Sequence, residues 1–305
     1  MTSSLSPLYL AGPTGCGKTA VAVKLAGLLA PVEIINADAY QVYRGLEALS
    51  AAPSQEEMQA CPHHLFGVLD PVEENDAATF ATCARSTIAE VASRARPLVV
   101  GGSGLYLKAI THGLAPTPKG DATLRNELDA LPLEELVSRY RSLDPIGAEK
   151  TNLKNRRYVT RNLEITLLSG RPASDLKSEW VVTAPQIQAV YLQRDRDDLV
   201  RRIERRTEAM FEADVVGEVA ALGPLSPTAE RAIGLREIQA YLRGEIALSD
   251  CRERILLATR QYAKRQKSWF KRETAFLRLI VAPDERPEET AVRVVSLFPG
   301  LGVAS

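Results

Sequence analysis

Three things are scarce in this sequence, and each scarcity excludes something. Cysteine occurs four times in 305 residues, at Cys16, Cys61, Cys83 and Cys251, with no CxxC pair. Such spacing builds neither a zinc site nor a disulfide framework, and a reducing cytoplasm is the expected compartment. Long apolar runs are missing: no stretch approaches the ~18 residues that a membrane span needs. The first 17 residues hold no lysine or arginine for a secretory n-region. Net charge is absent too, with Lys plus Arg and Asp plus Glu at 38 each. Taken alone, that balance argues against a nucleic-acid partner, which usually goes with a basic excess.

What is present reads as an ordinary globular chain, 45% hydrophobic and 25% charged. Leu8-Tyr9-Leu10 has the pattern of a short buried strand, Gly12 to Gly17 that of a tight loop, and Lys18 to Leu29 that of a helix. Val32 to Ile35 is a second strand ending at Asn36-Ala37-Asp38. A helical stretch over Phe80 to Ser93 precedes a third strand, Pro97 to Val100, which stops at Gly101-Gly102. Strands alternating with helices predict an α/β fold, a parallel sheet covered by helices on both faces. From about Lys119 to Pro185 the spacing is helical with little strand signal. We therefore expect a discontinuous core over 1–118 and 186–305, interrupted by a helical insertion over 119–185. Ile187 to Leu192 is a further strand, Asp197 to Leu222 one long helical pattern, Arg252 to Lys271 another, and Phe276 to Val281 a last strand.

Gly12-Pro13-Thr14-Gly15-Cys16-Gly17-Lys18-Thr19 matches G-x-x-x-x-G-K-[ST] in its strand–loop–helix setting. In such a P-loop, backbone N–H groups and the helix N-terminus converge on phosphate oxygens. Lys18 brings a point charge to the terminal phosphates, and the Thr19 hydroxyl suits a bound Mg²⁺. Hydrolysing NTPases add an apolar strand ending in aspartate, but here Leu98-Val99-Val100 ends in Gly101-Gly102-Ser103-Gly104. The carboxylate stands instead after the second strand, as Asp38, where ligands collect in doubly wound sheets. It can serve as a general base, or simply as a turn residue.

These residues resemble the bacterial tRNA dimethylallyltransferase (tRNA isopentenyltransferase) family, in order and over nearly the whole chain. The P-loop is similar to that family's GPTxSGKT, and Asn36 to Tyr43 to its A-D-S-x-Q-V-Y. His63-His64-Leu65 and Gly101 to Tyr106 resemble its H-H-L and G-G-T-G-L-Y. Arg231 to Glu237 is similar to a second glycine-centred motif, and Thr259 to Gln266 with Trp269-Phe270 to T-R-x-Y-A-K-R-Q-x-x-W-F.

The resemblance implies transfer of a dimethylallyl group from dimethylallyl diphosphate, with Mg²⁺, to the N6 amine of an adenosine beside the tRNA anticodon. It implies catalytic roles for Asp38 and Thr19. Arg206, in a segment similar to R-I-x-x-R-V-D-x-M, is a diphosphate-binding candidate; on residues alone it could equally be one of the solvated cluster Arg201, Arg202, Arg205 and Arg206. Asp38, Ala39, Tyr40 and Gln41 are implied to receive a flipped base. Ser103, Arg125, Arg157, Arg161, Arg231, Gly234, Arg236, Lys264, Arg265, Gln266, Lys267 and Trp269 are implied tRNA contacts, with the insertion gripping the anticodon stem-loop. This chain departs from the pattern at Ala39, Ser103 and Ala52, and at Tyr158, where arginine is usual and Arg157 is the candidate substitute.

Charge placement bears on the opening objection. From Arg252 to Arg272 eight basic residues face one acid, whereas Gly45 to Ala84 holds seven acids and no lysine or arginine. Arg260, Lys264, Lys267 and Lys271 share one helical face. Such a stripe suits an RNA backbone or is a solvated face. Two rivals stand beside tRNA modification: an adenylate isopentenyltransferase acting on free AMP or ADP, and a P-loop small-molecule kinase. Neither a membrane nor an obligatory protein partner is expected.

Overall fold

The computed structural model describes residues 5–29, 31–179 and 186–301. Contacts divide the chain into two compact units, one of residues 1–111 with 185–305, the other of 112–184.

In the first unit six strands form one wholly parallel sheet: β1 (Leu8–Ala11), β2 (Val32–Asn36), β3 (His63–His64), β4 (Arg96–Gly101), β5 (Gln188–Arg194) and β6 (Leu277–Val281). Their spatial order is β3-β2-β4-β1-β5-β6. Every residue of β1, β2 and β4 is buried, so both sheet faces are covered, which is why their central residues (Leu8 to Leu10, Ile34-Ile35 and Leu98 to Val100) are apolar without alternation. On one face Leu8, Leu10, Ile34, Leu98 and Val190 pack with Val21 and Leu25 of α1 (Lys18–Leu29). On the other, Tyr191 stacks on Phe270, the ring centroids 4.6 Å apart.

The sheet also explains where ligands collect. After β1 the chain runs to β2 on one side, while β5 and β6 lie on the other. The carboxyl end of β1 is therefore a topological switch point, and the P-loop sits there.

Between β2 and β4 run the short helices α2 (Glu47–Ser50) and α3 (Gln55–Ala60), then α4 (Ala77–Val91); α5 (Gly104–His112) follows β4. The second unit holds α6 (Ala122–Asp129), α7 (Leu133–Leu143), α8 (Pro145–Lys150), α9 (Arg156–Ser169) and α10 (Ala173–Ser178) around Leu128, Leu136, Tyr140, Val159 and Leu163. The first unit resumes with β5, α11 (Arg196–Glu212), α12 (Val215–Ala220), α13 (Leu235–Leu242), α14 (Leu248–Phe270), β6 and α15 (Pro287–Ser296).

The single helical pattern expected over Asp197–Leu222 is two helices. Asp214 takes a left-handed conformation (φ 57°) and its carboxylate accepts from the Gly217 amide at 3.0 Å, ending one helix and capping the next. The two-residue β3 and the helix α15 are additions of the structure to the elements expected from the sequence.

Candidate active site

The P-loop is shaped by what its residues cannot carry. Gly15 and Gly17 lie at φ 79° and 93°, which side chains other than glycine rarely accept. Lys18 folds back so that its ammonium donates to the Gly12 and Pro13 carbonyls, each at 3.0 Å. From behind, the buried Arg194 donates through Nε to the Cys16 carbonyl (2.9 Å) and through Nη1 to Asp198 Oδ2 (3.0 Å) and the Ala282 carbonyl (2.8 Å). A loop carbonyl fixed outward in this way leaves neighbouring N–H groups free to face a phosphate.

In front of the loop lies a cavity of ≈ 540 Å³. Thr14, Gly15, Gly17, Lys18 and Thr19 line it, together with Asp38, Tyr40, Gln41, Arg206 and Gln266. Gly12, Pro13 and Cys16 are buried behind that wall. Asp38 follows β2 directly. Its backbone N–H donates to Asn36 Oδ1 (2.8 Å), and its own Oδ1 accepts from the Tyr40 amide (3.0 Å), a turn that holds the carboxylate at the strand end. Ala39 donates its amide to Ser103 Oγ at 3.2 Å, and Ser103 also bonds the Tyr262 hydroxyl. Burial raises the Tyr262 pKa, and the nearby charge of Asp38 adds to the effect.

Arg206 reaches in from α11. Its Nη1 donates to Thr14 Oγ1 at 2.7 Å and its Nη2 to the Ser50 carbonyl at 2.9 Å. Burial lowers its pKa while Asp38 opposes the shift. A guanidinium beside a P-loop in partly dehydrated surroundings is an anion site. Arg202 and Arg205 line the same cavity; Arg202 is held by Asp198 at 3.2 Å.

Gly101, which opens the Gly101–Gly104 turn, also lines the cavity. A Cβ on Gly101 would stand 2.2 Å from the Ala37 carbonyl oxygen, and one on Gly104 2.3 Å from the Trp269 ring. Gln266, buried on α14, accepts from the Thr14 amide through Oε1 (2.8 Å) and donates to the Gly102 carbonyl through Nε2 (3.0 Å). Its amide thus clasps P-loop and turn together, and Trp269 packs against the turn.

Three comparisons bear on this cavity. The family model described as IPP transferase matches residues 41–273, and one described as isopentenyl transferase matches residues 7–66. The chain belongs to the IPP transferase family. The tRNA dimethylallyltransferase of Akkermansia muciniphila is 46% identical over 290 residues, covering 94% of this chain and 98% of that protein. That of Halorhodospira halophila is 40% identical over 294 residues, or 92% and 94% of the two chains. The crystal structure of the full-length tRNA isopentenylpyrophosphate transferase from Bacillus halodurans is 30% identical, with a TM-score of 0.72 over 97% of this chain and 96% of that one. A eukaryotic dimethylallyltransferase at 23% identity shares the fold, with a TM-score of 0.81 over 99% of this chain and 81% of that one.

Other expected contacts lie outside the cavity. Arg231 and Arg236 are exposed on either side of the buried Gly234, whose φ of 97° starts α13. Lys264 on α14 and Lys271, which caps its C-terminus, are exposed and Lys267 is half-buried; none of the three enters an ion pair among the described residues. Arg260, counted in the same stripe, is instead bonded to Glu204. Arg265 lies over the Tyr262 ring, 5.6 Å from its centroid.

In the second unit Arg157 and Tyr158 are exposed on α9. Arg156 is occupied by the Leu128, Asp129 and Leu131 carbonyls. Arg125 and Arg161 both meet Glu164. Sequence reading missed Arg194, Gln266's clasp, and Glu218, whose two oxygens accept the Ala48 and Leu49 amides at 2.7 and 2.8 Å. The contacts that tie Arg194 to Cys16, Gln266 to Thr14 and Gly102, and Glu218 to Ala48 and Leu49 span more than 160 residues of sequence, so no local spacing signals them.

Proposed function

We propose that this protein transfers a dimethylallyl group from dimethylallyl diphosphate to the N6 amine of the adenosine 3′ to the anticodon in tRNA, releasing diphosphate. The carrying observation is that the P-loop, Arg206 and the Asp38 carboxylate line one cavity. Lys18, Arg206 and the loop amides hold the diphosphate. The N6 lone pair attacks C1 of the donor, and the C1–O bond breaks with its electron pair going to diphosphate. The amine proton passes to Asp38. Because charge grows on the leaving oxygens, cations already fixed in place favour the transition state over the ground state.

Among the described residues no three His, Cys, Asp or Glu side chains gather to hold a metal. The donor set instead fits Mg²⁺ in its usual manner, with the Thr19 hydroxyl and substrate phosphates as ligands. When bound, the ion would spread the charge of the leaving diphosphate.

The acceptor is assigned from charge. Lys264 and Lys267 on α14, Lys271 at its C-cap, and Arg157 on α9 stand without ion partners among the described residues, and a free nucleotide calls for no such basic residues.

Incubation with Mg²⁺, labelled dimethylallyl diphosphate, and either unmodified tRNA or AMP tests the reading. Label should enter tRNA. Label in AMP alone would favour the adenylate enzyme, and ATP consumption with neither labelled would favour a kinase. Chelation should stop transfer, and added Mg²⁺ restore it.

A further inference from the structure

Arg125 and Arg161 come from different helices of the second unit, α6 and α9, yet converge on one carboxylate. Glu164 has no exposed surface. Its Oε1 accepts from the Asp121 amide and from Arg125 Nη2, both at 2.9 Å. Its Oε2 accepts from Arg161 Nη1 at 2.6 Å and from Arg125 Nη2 at 3.0 Å. Arg161 Nη2 also donates to the Pro118 carbonyl at 2.7 Å. Burial by itself raises the carboxyl pKa, but the hydrogen bonds from Arg161 and Arg125 outweigh it and keep Glu164 ionised.

Both arginines remain open on their outer sides, with side chains 47% and 35% exposed. The neighbouring backbone makes room for the arrangement. A Cβ on Gly120 would lie 2.0 Å from Arg125 Nη2 and 2.9 Å from Glu164 Oε1.

A buried carboxylate between two exposed guanidiniums acts on RNA in two opposed ways. It subtracts a charge, which weakens attraction to any phosphate backbone. It also fixes where the two guanidiniums point, which favours a backbone of one particular shape. For stability alone, an apolar side chain of similar volume serves as well as a buried ion cluster.

We propose that Glu164 is a specificity-determining positioning residue: it gives up indiscriminate RNA affinity in exchange for a fixed pair of guanidiniums that recognise the folded acceptor RNA. The proposal rests on the tRNA reading above.

Two variants test it. Glu164→Gln removes the charge and keeps the shape. Gly120→Ala keeps every charge, and its new methyl group pushes the flexible Arg125 head off the carboxylate. Each is assayed for transfer to tRNA, for binding to tRNA and to a generic RNA duplex across a salt series, and for thermal unfolding.

For Glu164→Gln, duplex binding should tighten by about 2- to 5-fold, with a log–log salt slope steeper by up to about one unit. Its kcat/KM for tRNA should fall by about tenfold, the fall lying in the tRNA KM while the KM for donor is unchanged. For Gly120→Ala, kcat/KM for tRNA should fall with the salt slope unchanged.

Parallel losses on tRNA and duplex, or an unchanged preference between them, would overturn the proposal while wild-type transfer leaves the tRNA reading intact. Failure of the wild-type protein to modify any tRNA, although it binds donor, would overturn both.

Discussion

Asp38 and Arg206 line one cavity with opposite charges, and their bonding gives them separable duties. Arg206 is bonded to the loop threonine and so belongs to donor binding. The Asp38 backbone is tied to the Asn36 side chain and its Oδ1 accepts from the Tyr40 amide, which leaves its second oxygen available to a substrate proton. Asp38→Ala should therefore lower the transfer rate by about 10²–10⁴-fold, the usual worth of a general base. Donor affinity, followed by equilibrium binding of labelled dimethylallyl diphosphate, should stay within about threefold of wild type, well under the tenfold that 1.4 kcal/mol represents. Loss of donor binding in step with transfer would make Asp38 part of the diphosphate site. The P-loop and Asp38 are legible in the chain because each sits at a strand end with a short, defined spacing. Gln266 is different. Its buried amide joins Thr14 to Gly102 across 252 and 164 positions, and nothing in the surrounding helix distinguishes it from a surface glutamine.

Secondary-structure elements follow the same division. Strands β1, β2, β4 and β5 have apolar centres buried on both faces and declare themselves. The break between α11 and α12 is hidden because Asp214 reaches φ 57° through its own capping bond, with neither glycine nor proline to mark the turn. At the start of the sheet, β2 is tied to its neighbours by Glu33. The nearly buried carboxylate accepts from Arg94 at 2.8 and 2.9 Å and is 2.6 Å from His64 Nε2. The hydrogen bond from Arg94 is the main cause that holds its pKa below the usual carboxylate range. A depressed folded-state pKa means that this stabilisation is complete above the unfolded value near about 4 and is lost as pH falls through the lower folded value. Glu33→Gln should cost about 1–3 kcal/mol near neutral pH, as for hydrogen bonds to a charged group. In urea unfolding repeated across pH, the gap between variant and wild type should narrow as pH falls below the unfolded value of about 4. A gap independent of pH would assign the loss to packing.

For the whole molecule, equal totals of 38 basic and 38 acidic residues conceal a local polarity. The structure refines it: Arg260 is neutralised by Glu204, while Lys264, Lys267 and Lys271 remain available. Combined Lys264→Ala and Lys267→Ala substitution should weaken tRNA binding and lower the log–log salt slope by about one to two units, with AMP-sized ligands unaffected. An unchanged slope would leave that helix face merely solvated. The central claim is that one cavity joins a gripped prenyl diphosphate to a flipped adenine. It is tested most directly by nucleoside mass spectrometry of tRNA after single turnover, with diphosphate release measured in the same sample. One dimethylallyl unit should appear on the single adenosine 3′ to the anticodon, with one diphosphate released for each. Diphosphate released without a modified nucleoside, or the prenyl unit found on any other base, would contradict it.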